Sequence, residues 1–351
     1  MRSRTGITSI GSGADMILVH EFVVGGGWSA GDPPESLRRE GLAMLRAVLT
    51  DLRAWGSQRV VTTLDSRLAS EPLPADEVVL LRGEVYAESL ARLAARCDTA
   101  LVIAPEAEGI LERVTALVLE AGVSLLGSGL AAIAAASNKW LCYKLFRQAG
   151  LPTPETALVE QRDIATAVAD IRFPLVIKPR QGAGCEGVGF ASGEEALAEA
   201  VKMPALHRAA GFLVQRYVAG TPASVSLIVA DGHAVALGLN EQWVRPGIPF
   251  TYEGGAACVD HERRSEAIGL AQTAVGLFPE LRGYVGVDLI LTDEGCQLVE
   301  INPRVTTAYL GLRQALPMNL AEALWRAGKE GVLPPVPQPI ATVTFAKGID
   351  W

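Results

Sequence analysis

The chain has 351 residues, of which 49% are hydrophobic, so it is large enough for two or three domains with buried cores and is not a disordered protein. Its net charge of −8 argues against a nucleic-acid partner, because affinity for a phosphate backbone requires an excess of lysine and arginine. Its five cysteines form no C-x-x-C pair and no run of about 18 apolar residues occurs, which argues against a zinc site, a disulfide framework and a membrane partner.

The first 15 residues are polar and rich in glycine and serine, and they contain no apolar stretch typical of a secretory signal. We therefore expect 1–15 to be a loose leader, with the folded part beginning at Met16. Without an export or membrane signal, a cytoplasmic location is expected. The sequence leaves open whether the chain forms a homodimer.

Strands and helices alternate over the first third of the chain. The segment 16–27 has the pattern of a buried strand that runs into a glycine turn. Further strands are predicted at 59–65, 99–105 and 123–128, and helices at 34–56, 84–96 and 109–121. This alternation predicts an α/β N-terminal domain at 16–127 with a doubly wound parallel sheet, in which ligands bind beyond the carboxyl ends of the strands.

The pattern changes to α+β after residue 127. Helices are predicted at 129–150, 194–203 and 263–277, a strand–glycine loop–strand unit at 173–190, another strand at 212–218 and hairpins at 224–242 and 283–304. The first hairpin turns at Asp231-Gly232, a dipeptide that favours tight turns. We divide this part into a smaller subdomain at 128–219 and a C-terminal subdomain at 220–351.

A glycine loop at 182–187 matches the G-x-G-x-x-G pattern through Gly182, Gly184 and Gly187. A dinucleotide-binding fingerprint would open a helix, whereas a strand-like segment follows here, so an NAD-dependent oxidoreductase would rest on this match alone. The pattern is more typical of a mobile glycine-rich β-loop-β flap, with Lys178 on the strand that leads into it. The alternative is an ordinary glycine hairpin beside a lysine whose stem lies along the surface.

The segment LVEINPR, 298–304, carries two oxygen-bearing side chains on one face of a predicted strand. Because side chains alternate along a strand, Glu300 and Asn302 point the same way while their apolar neighbours point the other way. Hard oxygen ligands followed by a fixed cation, Arg304, fit a site for Mg²⁺ and phosphate. The alternative is an edge strand with one solvated face.

Taken in chain order, these elements resemble the ATP-grasp superfamily over about 127–310. The features that carry the resemblance are Lys139 in SNKWLCYKLF, Lys178 in LVIKP, the glycine flap, LVQRYVAG at 213–220, Asp288 in GVDLIL, and Glu300, Asn302 and Arg304 in EINPR. The resemblance implies an α+β ATP-grasp fold after a Rossmann-like pre-ATP-grasp domain. It also implies ATP and Mg²⁺ as cofactors, with Mn²⁺ as an alternative ion.

The resemblance further implies a role for each of these residues. The residues expected to bind ATP are two lysines, the flap glycines and the strand at the adenine edge: Lys139, Lys178, Gly182, Gly184, Gly187, Gln215, Tyr217 and Val218. The expected ligands of two Mg²⁺ ions are Asp288, Glu300 and Asn302. Arg304 would stabilise the phosphoryl group in transfer, and Arg304 and Lys178 are the expected catalytic residues.

Four shorter motifs, LVHEFVVGGG, KPRQGAGCEG, LNEQ and YEGG, resemble the tyramine–glutamate ligase group of furan-cofactor biosynthesis. This resemblance implies a ligase that phosphorylates a carboxylate, the γ-carboxylate of glutamate, and joins it to tyramine or a related phenolic amine, releasing ADP and phosphate. The expected partners are thus small-molecule substrates. Candidates for the acceptor pocket are Asn240, Gln242 and Tyr252, although Asn240 and Gln242 fit the end of a strand equally well.

Two other functions are compatible with the sequence. One is an ATP-grasp ligase that acts on a different carboxylate and amine. The other is a non-catalytic sensor that binds ATP and has lost turnover. A sensor would not require all of Asp288, Glu300 and Asn302, so the presence of the full set favours an enzyme.

Overall fold

The computed structural model of the protein describes residues 15–29, 31–159, 164, 168, 171–207 and 211–346. The predicted leader lies outside these residues, apart from Asp15. The described residues contain one parallel and two antiparallel sheets, with helices packed against them. No helix in the described part of the chain is long and apolar enough to cross a membrane.

A five-stranded parallel sheet, in the order β3-β2-β1-β4-β5, forms the N-terminal domain. Its strands are β1 Met16–Glu21, β2 Arg59–Asp65, β3 Glu77–Leu81, β4 Thr99–Ile103 and β5 Ser124–Leu125. Its helices are α1 Glu35–Trp55, α2 Tyr86–Ala94 and α3 Ile110–Glu120. The predicted doubly wound α/β domain is confirmed, with β3 as a strand that the sequence analysis did not predict.

A four-stranded antiparallel sheet, in the order β6-β9-β7-β8, follows in the smaller subdomain. Its strands are β6 Thr156–Val159, β7 Leu175–Pro179, β8 Gly189–Ala191 and β9 Phe212–Arg216. The helices of this part are α4 Leu130–Ala136, α5 Lys139–Gln148 and α6 Glu194–Ala200. Asn138 caps α5, because its side-chain oxygen accepts a hydrogen bond from the Leu141 N–H at 3.2 Å. This cap fixes Lys139 in the first turn of the helix.

A six-stranded antiparallel sheet, in the order β14-β13-β10-β11-β12-β15, forms the centre of the C-terminal subdomain. Its strands are β10 Thr221–Ala230, β11 His233–Arg245, β12 Thr251–Ala257, β13 Gly283–Thr292, β14 Gly295–Asn302 and β15 Val343–Ala346. Its helices are α7 Arg264–Val275, α8 Ala308–Ala315 and α9 Leu320–Glu330. The predicted turn at Asp231-Gly232 is confirmed, since both residues have positive φ, +48° and +78°, as this type of two-residue hairpin turn requires.

The N-terminal domain and the C-terminal subdomain share a hydrophobic core. Helix α1 belongs to the same apolar cluster as α8 and α9. Beside this cluster the buried Asp51 of α1 accepts hydrogen bonds from Tyr309 Oη at 2.8 Å and from Arg313 Nη2 at 2.6 Å. Since it is costly to leave a buried carboxylate without its partners, this contact helps to hold the parallel sheet against the large antiparallel sheet.

Candidate functional site

Two carboxylates lie side by side on the hairpin formed by β13 and β14. Asp288 and Glu300 are direct partners in the register of the two strands, and a β-bulge follows Asp288. Asp288 Oδ2 accepts a hydrogen bond from Asn302 Nδ2 at 3.1 Å, and Asp288 Oδ1 accepts one from Gln242 Nε2 of β11, also at 3.1 Å. The structure thus brings together the three residues expected to bind metal and one of the acceptor-pocket candidates.

The two carboxylates have opposite electrostatic environments. Burial and the negative charge of Glu300 raise the pKa of Asp288 well above its usual range. Burial also opposes the ionisation of Glu300, but the cations Lys139 and Lys178 outweigh burial and hold the pKa of Glu300 below its usual range. In the free protein Glu300 is therefore a stabilised carboxylate, whereas the charged form of Asp288 is disfavoured.

The oxygen atoms of this hairpin fit a hard divalent cation. Asp288 and Glu300 supply carboxylate oxygens, and Asn302, which donates through Nδ2, keeps Oδ1 as a third oxygen. Among the described residues there is no cluster of three or more His, Cys, Asp or Glu side chains suited to a metal, so two carboxylates and an amide form the candidate set. A divalent cation bound there would favour the charged form of Asp288, which burial disfavours.

Lys139 connects the carboxylate pair to the glycine loop. Its Nζ forms a buried ion pair with Glu300 Oε2 at 2.7 Å and donates a hydrogen bond to the Gly182 carbonyl at 3.1 Å. Both burial and the start of a helix disfavour a cation, yet the attraction of Glu300 dominates and raises the pKa of Lys139. Lys139 is therefore fully charged in the free protein.

Lys178, on β7, is also buried, but its direct partner is a neutral amide. Its Nζ donates to Gln215 Oε1 at 2.9 Å, and Gln215 Nε2 donates in turn to Thr156 Oγ1 at 2.8 Å. Because burial outweighs the attraction of Glu300, the pKa of Lys178 is lowered to about 8. Of the three site cations that the structure describes, Lys139 and Arg304 have raised pKa values and Lys178 has a lowered one, so the charge of Lys178 depends on pH in a range that a binding experiment can cover.

We expect nucleotide affinity to fall as the pH is raised from about 8 to about 10, because the free protein loses the Lys178 proton over this range. The unfolded chain keeps that proton up to the ordinary lysine pKa, so the stability of the free protein should rise with pH over the same range. Equilibrium dialysis with Mg·ATP at about pH 7 to about pH 10 measures the first effect. The variant Lys178→Arg keeps its charge and should flatten the dependence, whereas an equal slope in both proteins would contradict the assignment.

The glycine loop has a backbone that requires glycine at two positions. Gly184 and Gly187 have φ values of +62° and +71°, which residues with a Cβ atom rarely adopt. At Gly187 an added Cβ would lie 2.6 Å from the Cβ of Ala205, so space is also lacking there. Gly184 is exposed and a Cβ added there would meet no atom of the described residues within 4 Å apart from its chain neighbours, so at this position the backbone conformation and not space favours glycine.

The strand that follows the glycine loop is docked against the large sheet. The Phe190 N–H donates to the Gly247 carbonyl at 2.8 Å, and the Phe250 N–H donates to the Val188 carbonyl at 2.7 Å. These bonds join β8 to the connection between β11 and β12. The structure thus shows the predicted β-loop-β unit in contact with the C-terminal subdomain, while its mobility stays a prediction.

The segment predicted to face adenine, 215–218, begins on β9, which ends at Arg216, so Tyr217 and Val218 lie beyond the strand. The Tyr217 N–H donates to the Pro174 carbonyl at 2.9 Å, so this backbone group is already used in the free protein. The Tyr217 ring packs edge-on against Phe190 of the flap, with centroids 4.9 Å apart. Tyr217 and Val218 are thus half-buried, with Tyr217 against the strand that follows the glycine loop. The side chain of Gln215 accepts a hydrogen bond from Lys178.

Arg304 closes the EINPR segment and reaches the N-terminal domain. Its Nη2 donates to Glu106 Oε2 at 2.8 Å and its Nη1 donates to the Val305 carbonyl at 3.2 Å. Burial disfavours the cation, but Glu106 reverses this effect and the pKa of Arg304 is raised. The sequence analysis missed Glu106. Its position just beyond β4, at the carboxyl edge of the parallel sheet, is the signal that could have identified it.

Asn240 lies on the same face of the large sheet as Asp288 but beneath the site. It is fully buried, and its Nδ2 donates to Ser226 Oγ at 2.9 Å and to Ser224 Oγ at 3.3 Å, while its Oδ1 accepts from the Cys258 N–H at 3.4 Å. These bonds join β10, β11 and the residue after β12, and they use both ends of the amide. Asn240 therefore joins the strands of the sheet in the free protein, and its place in the acceptor pocket stays a prediction.

Tyr252 of β12 is joined to the segment that follows EINPR. Its Oη lies 2.9 Å from Thr307 Oγ1, three residues beyond Arg304. The preceding residue, Thr306, lies 3.2 Å from Tyr284 Oη, which donates to Ser226 Oγ at 2.8 Å. These two sets of hydroxyl contacts were not predicted, because no sequence spacing relates β10, β12 and β13 to the loop before α8.

The chain matches two known domain families. Residues 136–308 match a family described as ATP-grasp domain, and residues 58–133 match a family described as pre ATP-grasp 3 domain. Every element of the site described above lies within these two stretches. The predicted fold class is thus supported by an independent comparison.

The chain is also similar to proteins of known name. It is 33% identical over 220 residues to tyramine–L-glutamate ligase of Methanocaldococcus jannaschii. The aligned region covers 62% of this chain and 58% of the relative. It is also 33% identical over 229 residues to the enzyme of the same name from Methanocaldococcus fervens, and this aligned region covers 65% of this chain and 65% of that relative. The matches thus span less than two thirds of the length of these relatives. A solved ATP-grasp superfamily protein from Archaeoglobus fulgidus has the same fold, with a TM-score of 0.69 and 24% identity over 95% of this chain and 99% of that one.

Proposed function

Because the chain belongs to the ATP-grasp superfamily, we propose that it is an ADP-forming ligase that joins a carboxylate to an amine through an acyl phosphate. One observation carries this proposal: the buried Lys139–Glu300 ion pair, which lies between the glycine loop and the Asp288–Asn302 oxygens. Such a site has cations for phosphate on one side and oxygen ligands for a metal on the other. A protein that only bound a nucleotide would not require both.

In the proposed reaction an oxygen of the substrate carboxylate attacks the γ-phosphorus of ATP, and ADP leaves. The amine nitrogen then attacks the acyl carbon, loses a proton, and phosphate leaves with the C–O bond electrons. A bound Mg²⁺ or Mn²⁺ at the Asp288–Glu300–Asn302 set would supply charge neutralisation for the phosphates. Positioning and charge stabilisation account for most of the catalysis in phosphoryl transfer, so no nucleophilic side chain is required.

The chain's own residues divide this work. Lys139 and Lys178 bind the phosphates on the side opposite the glycine loop. The glycine loop covers the phosphates with backbone N–H groups and excludes water. Arg304, held charged by Glu106, stabilises the negative charge that develops on the transferring phosphoryl group. A phosphate bound by Lys139 would compete with Glu300 for this lysine, and Glu300 would then be available to hold the divalent cation.

The proposed substrates are glutamate, through its γ-carboxylate, and tyramine or a related phenolic amine. The two relatives named tyramine–L-glutamate ligase support this pair. We place the acceptor next to Gln242 and Tyr252, because Gln242 contacts Asp288 and Tyr252 contacts the loop that follows Arg304. Both residues thus lie beside the expected acyl phosphate.

The test of this function is ADP release from purified protein with Mg·ATP and glutamate, with and without each of a panel of amines that includes tyramine and tyrosine. We expect release that depends on one amine, together with the matching γ-glutamyl amide by mass spectrometry. Release with another carboxylate or amine would identify a different ligase of the superfamily. Nucleotide binding without release under any condition would favour the sensor.

Replacing Tyr252 by phenylalanine should raise the KM for the amine by about 3- to 10-fold, since one hydrogen bond beside the acceptor is lost. The KM for ATP should change less, because the hydroxyl of Tyr252 is bonded to Thr307, whereas Lys139 and Lys178 are bonded to other residues. Steady-state kinetics with each substrate varied in turn measures the difference. Tyr143→Phe is the matched control, since that hydroxyl lies on a ring stacked on Trp140 of α5. Equal changes in both KM values would remove Tyr252 from the acceptor pocket.

A further inference from the structure

Glu106 is a buried acid of the N-terminal domain that meets the metal end of the site. It lies beyond the carboxyl end of β4, at the edge where parallel sheets bind ligands, and its side chain is only 2% exposed. Its partner Arg304 belongs to the C-terminal subdomain and is 12% exposed. The ion pair therefore joins the two domains at the place where we propose that phosphoryl transfer occurs.

The contact between Glu106 and Arg304 uses only one oxygen of the carboxylate and one nitrogen of the guanidinium. A carboxylate and a guanidinium can form two parallel hydrogen bonds, yet only Oε2 and Nη2 meet here, at 2.8 Å. Glu106 Oε1 and Arg304 Nε are buried and have no hydrogen-bond partner among the described residues. Leaving such groups unpaired is unfavourable in a site that exists only for stability, and it is expected where a ligand completes the hydrogen bonding.

Arg304 also has competing anions nearby. Asp288 and Glu300 both contribute to the raised pKa of Arg304, so their charges act on the guanidinium. Without a carboxylate on its other side, the long and flexible side chain of Arg304 would fold onto the carboxylates that we expect to bind metal. Glu106 attracts Arg304 from the opposite domain and so opposes that movement.

Resting on the proposed function, we propose that Glu106 is a positioning residue: it holds the Arg304 guanidinium away from the carboxylate pair and leaves Nε–H free for an oxygen of the transferring phosphoryl group. The N-terminal domain thereby takes part in catalysis through one side chain. Glu106 itself contacts neither the carboxylate nor the amine. Its removal should therefore act on the transition state and leave the binding of ground-state substrates nearly unchanged.

The experiment compares Glu106→Gln and Glu106→Asp with a variant that breaks the half-buried Asp51–Arg313 ion pair between the same domains. Asp51→Asn is this control, because the hydrogen-bond partners of Asp51 are Arg313, Tyr309 and Asn319, to none of which we assign a role in the site. We expect Glu106→Gln to lower kcat by roughly 10- to 100-fold with the KM for ATP nearly unchanged, and Glu106→Asp to restore part of the loss. Asp51→Asn should lower the midpoint of thermal unfolding and leave kcat as it is.

A second measurement does not depend on turnover. ADP with fluoroaluminate imitates the transferring phosphoryl group, so it should bind to the wild-type protein more tightly than ADP alone, and Glu106→Gln should lose that difference while binding ADP equally well. A Glu106-dependent difference without any ligase activity would support the positioning role and contradict the proposed function. Ligase activity that Glu106→Gln leaves intact would contradict the positioning role and leave the function standing. A wild-type protein that binds both probes equally, or an Asp51→Asn variant that loses kcat as Glu106→Gln does, would also overturn the proposal.

Discussion

Replacing Asp288 by asparagine should abolish turnover and, in the presence of a chelator, make the free protein more stable. Burial and the neighbouring Glu300 disfavour the charged form of Asp288, so removing its charge relieves an unfavourable interaction. The amides of Asn302 and Gln242 can rotate to bond the new amide. Turnover should fall by about 10³-fold or more, because an oxygen ligand of the metal is lost.

Replacing Glu300 by glutamine should also abolish turnover but with the opposite effect on stability. Glu300 is the ion-pair partner of the buried Lys139, so this variant leaves a buried cation without its carboxylate. Removing one partner of a buried pair costs roughly 3 kcal/mol or more. The two variants thus share the loss of activity and differ in the sign of the stability change.

Thermal unfolding in a chelator, followed by the same measurement with Mg·ATP, tests the direction of the stability change that we expect for each variant. The wild-type protein should be stabilised by Mg·ATP, and both variants should lose most of that gain because stabilisation follows affinity. Glu294→Gln is the control, since it removes an exposed acid from the turn of the same hairpin. A stabilised Glu300→Gln, or a destabilised Asp288→Asn, would show that the charges are not arranged as the structure has them.

The parts of the site that follow from the alternation of side chains along a strand could be predicted from the sequence. The alternation in LVEINPR placed Glu300 and Asn302 on one face, and the structure has both beside Asp288. The dipeptide Asp231-Gly232 fixed the turn of the first hairpin, because its local backbone chemistry does not depend on the rest of the chain. Local rules were sufficient where the chain alone decides the geometry.

The parts that depend on packing could not be predicted. The contact between Lys139 and Glu300 requires α5 to dock on β14, and no spacing in the sequence encodes that docking. Asn240 has the same polar character as Gln242 and lies on the same face, so the sequence could not show that Asn240 is fully buried and bonded within the sheet. The edge strand β3 was missed because Val78 and Leu80 are apolar and exposed, which removes the alternation that marks a half-buried strand.

The free protein balances the charges of its site with its own residues. Lys139 pairs with Glu300 and Arg304 pairs with Glu106, whereas Lys178 is bonded to the neutral amide of Gln215, so two of the three cations expected to meet phosphate already have a carboxylate. A ligand that carries both phosphate and metal can replace both halves of the first pair at once, since phosphate takes Lys139 and the metal takes Glu300. Either component alone would leave a buried charge without a partner, which favours binding of the complex of nucleotide and metal.

Replacing Arg304 by lysine should lower kcat by about 10²- to 10³-fold with little change in the KM for ATP. Lysine can still pair with Glu106, but an ammonium cannot hold that carboxylate and present a second N–H in the fixed geometry of a guanidinium. The kinetic measurement is the dependence of ADP release on each substrate. Because the charge is kept, the variant should fold normally, so a loss of kcat would report the geometry of the group.

Replacing Arg304 by methionine separates catalysis from stability. This variant leaves Glu106 buried without a cation and should cost roughly 3 kcal/mol in the free energy of unfolding. Adding Glu106→Gln should restore much of that stability while turnover stays absent, because the stabilising cation of the transition state is still missing. Arg313→Met is the control, since it breaks the half-buried Asp51–Arg313 ion pair between the domains and should lower stability alone. A double variant that recovers turnover would reduce Arg304 to a structural residue, whereas a stable and inactive one would establish it as the cation that stabilises phosphoryl transfer.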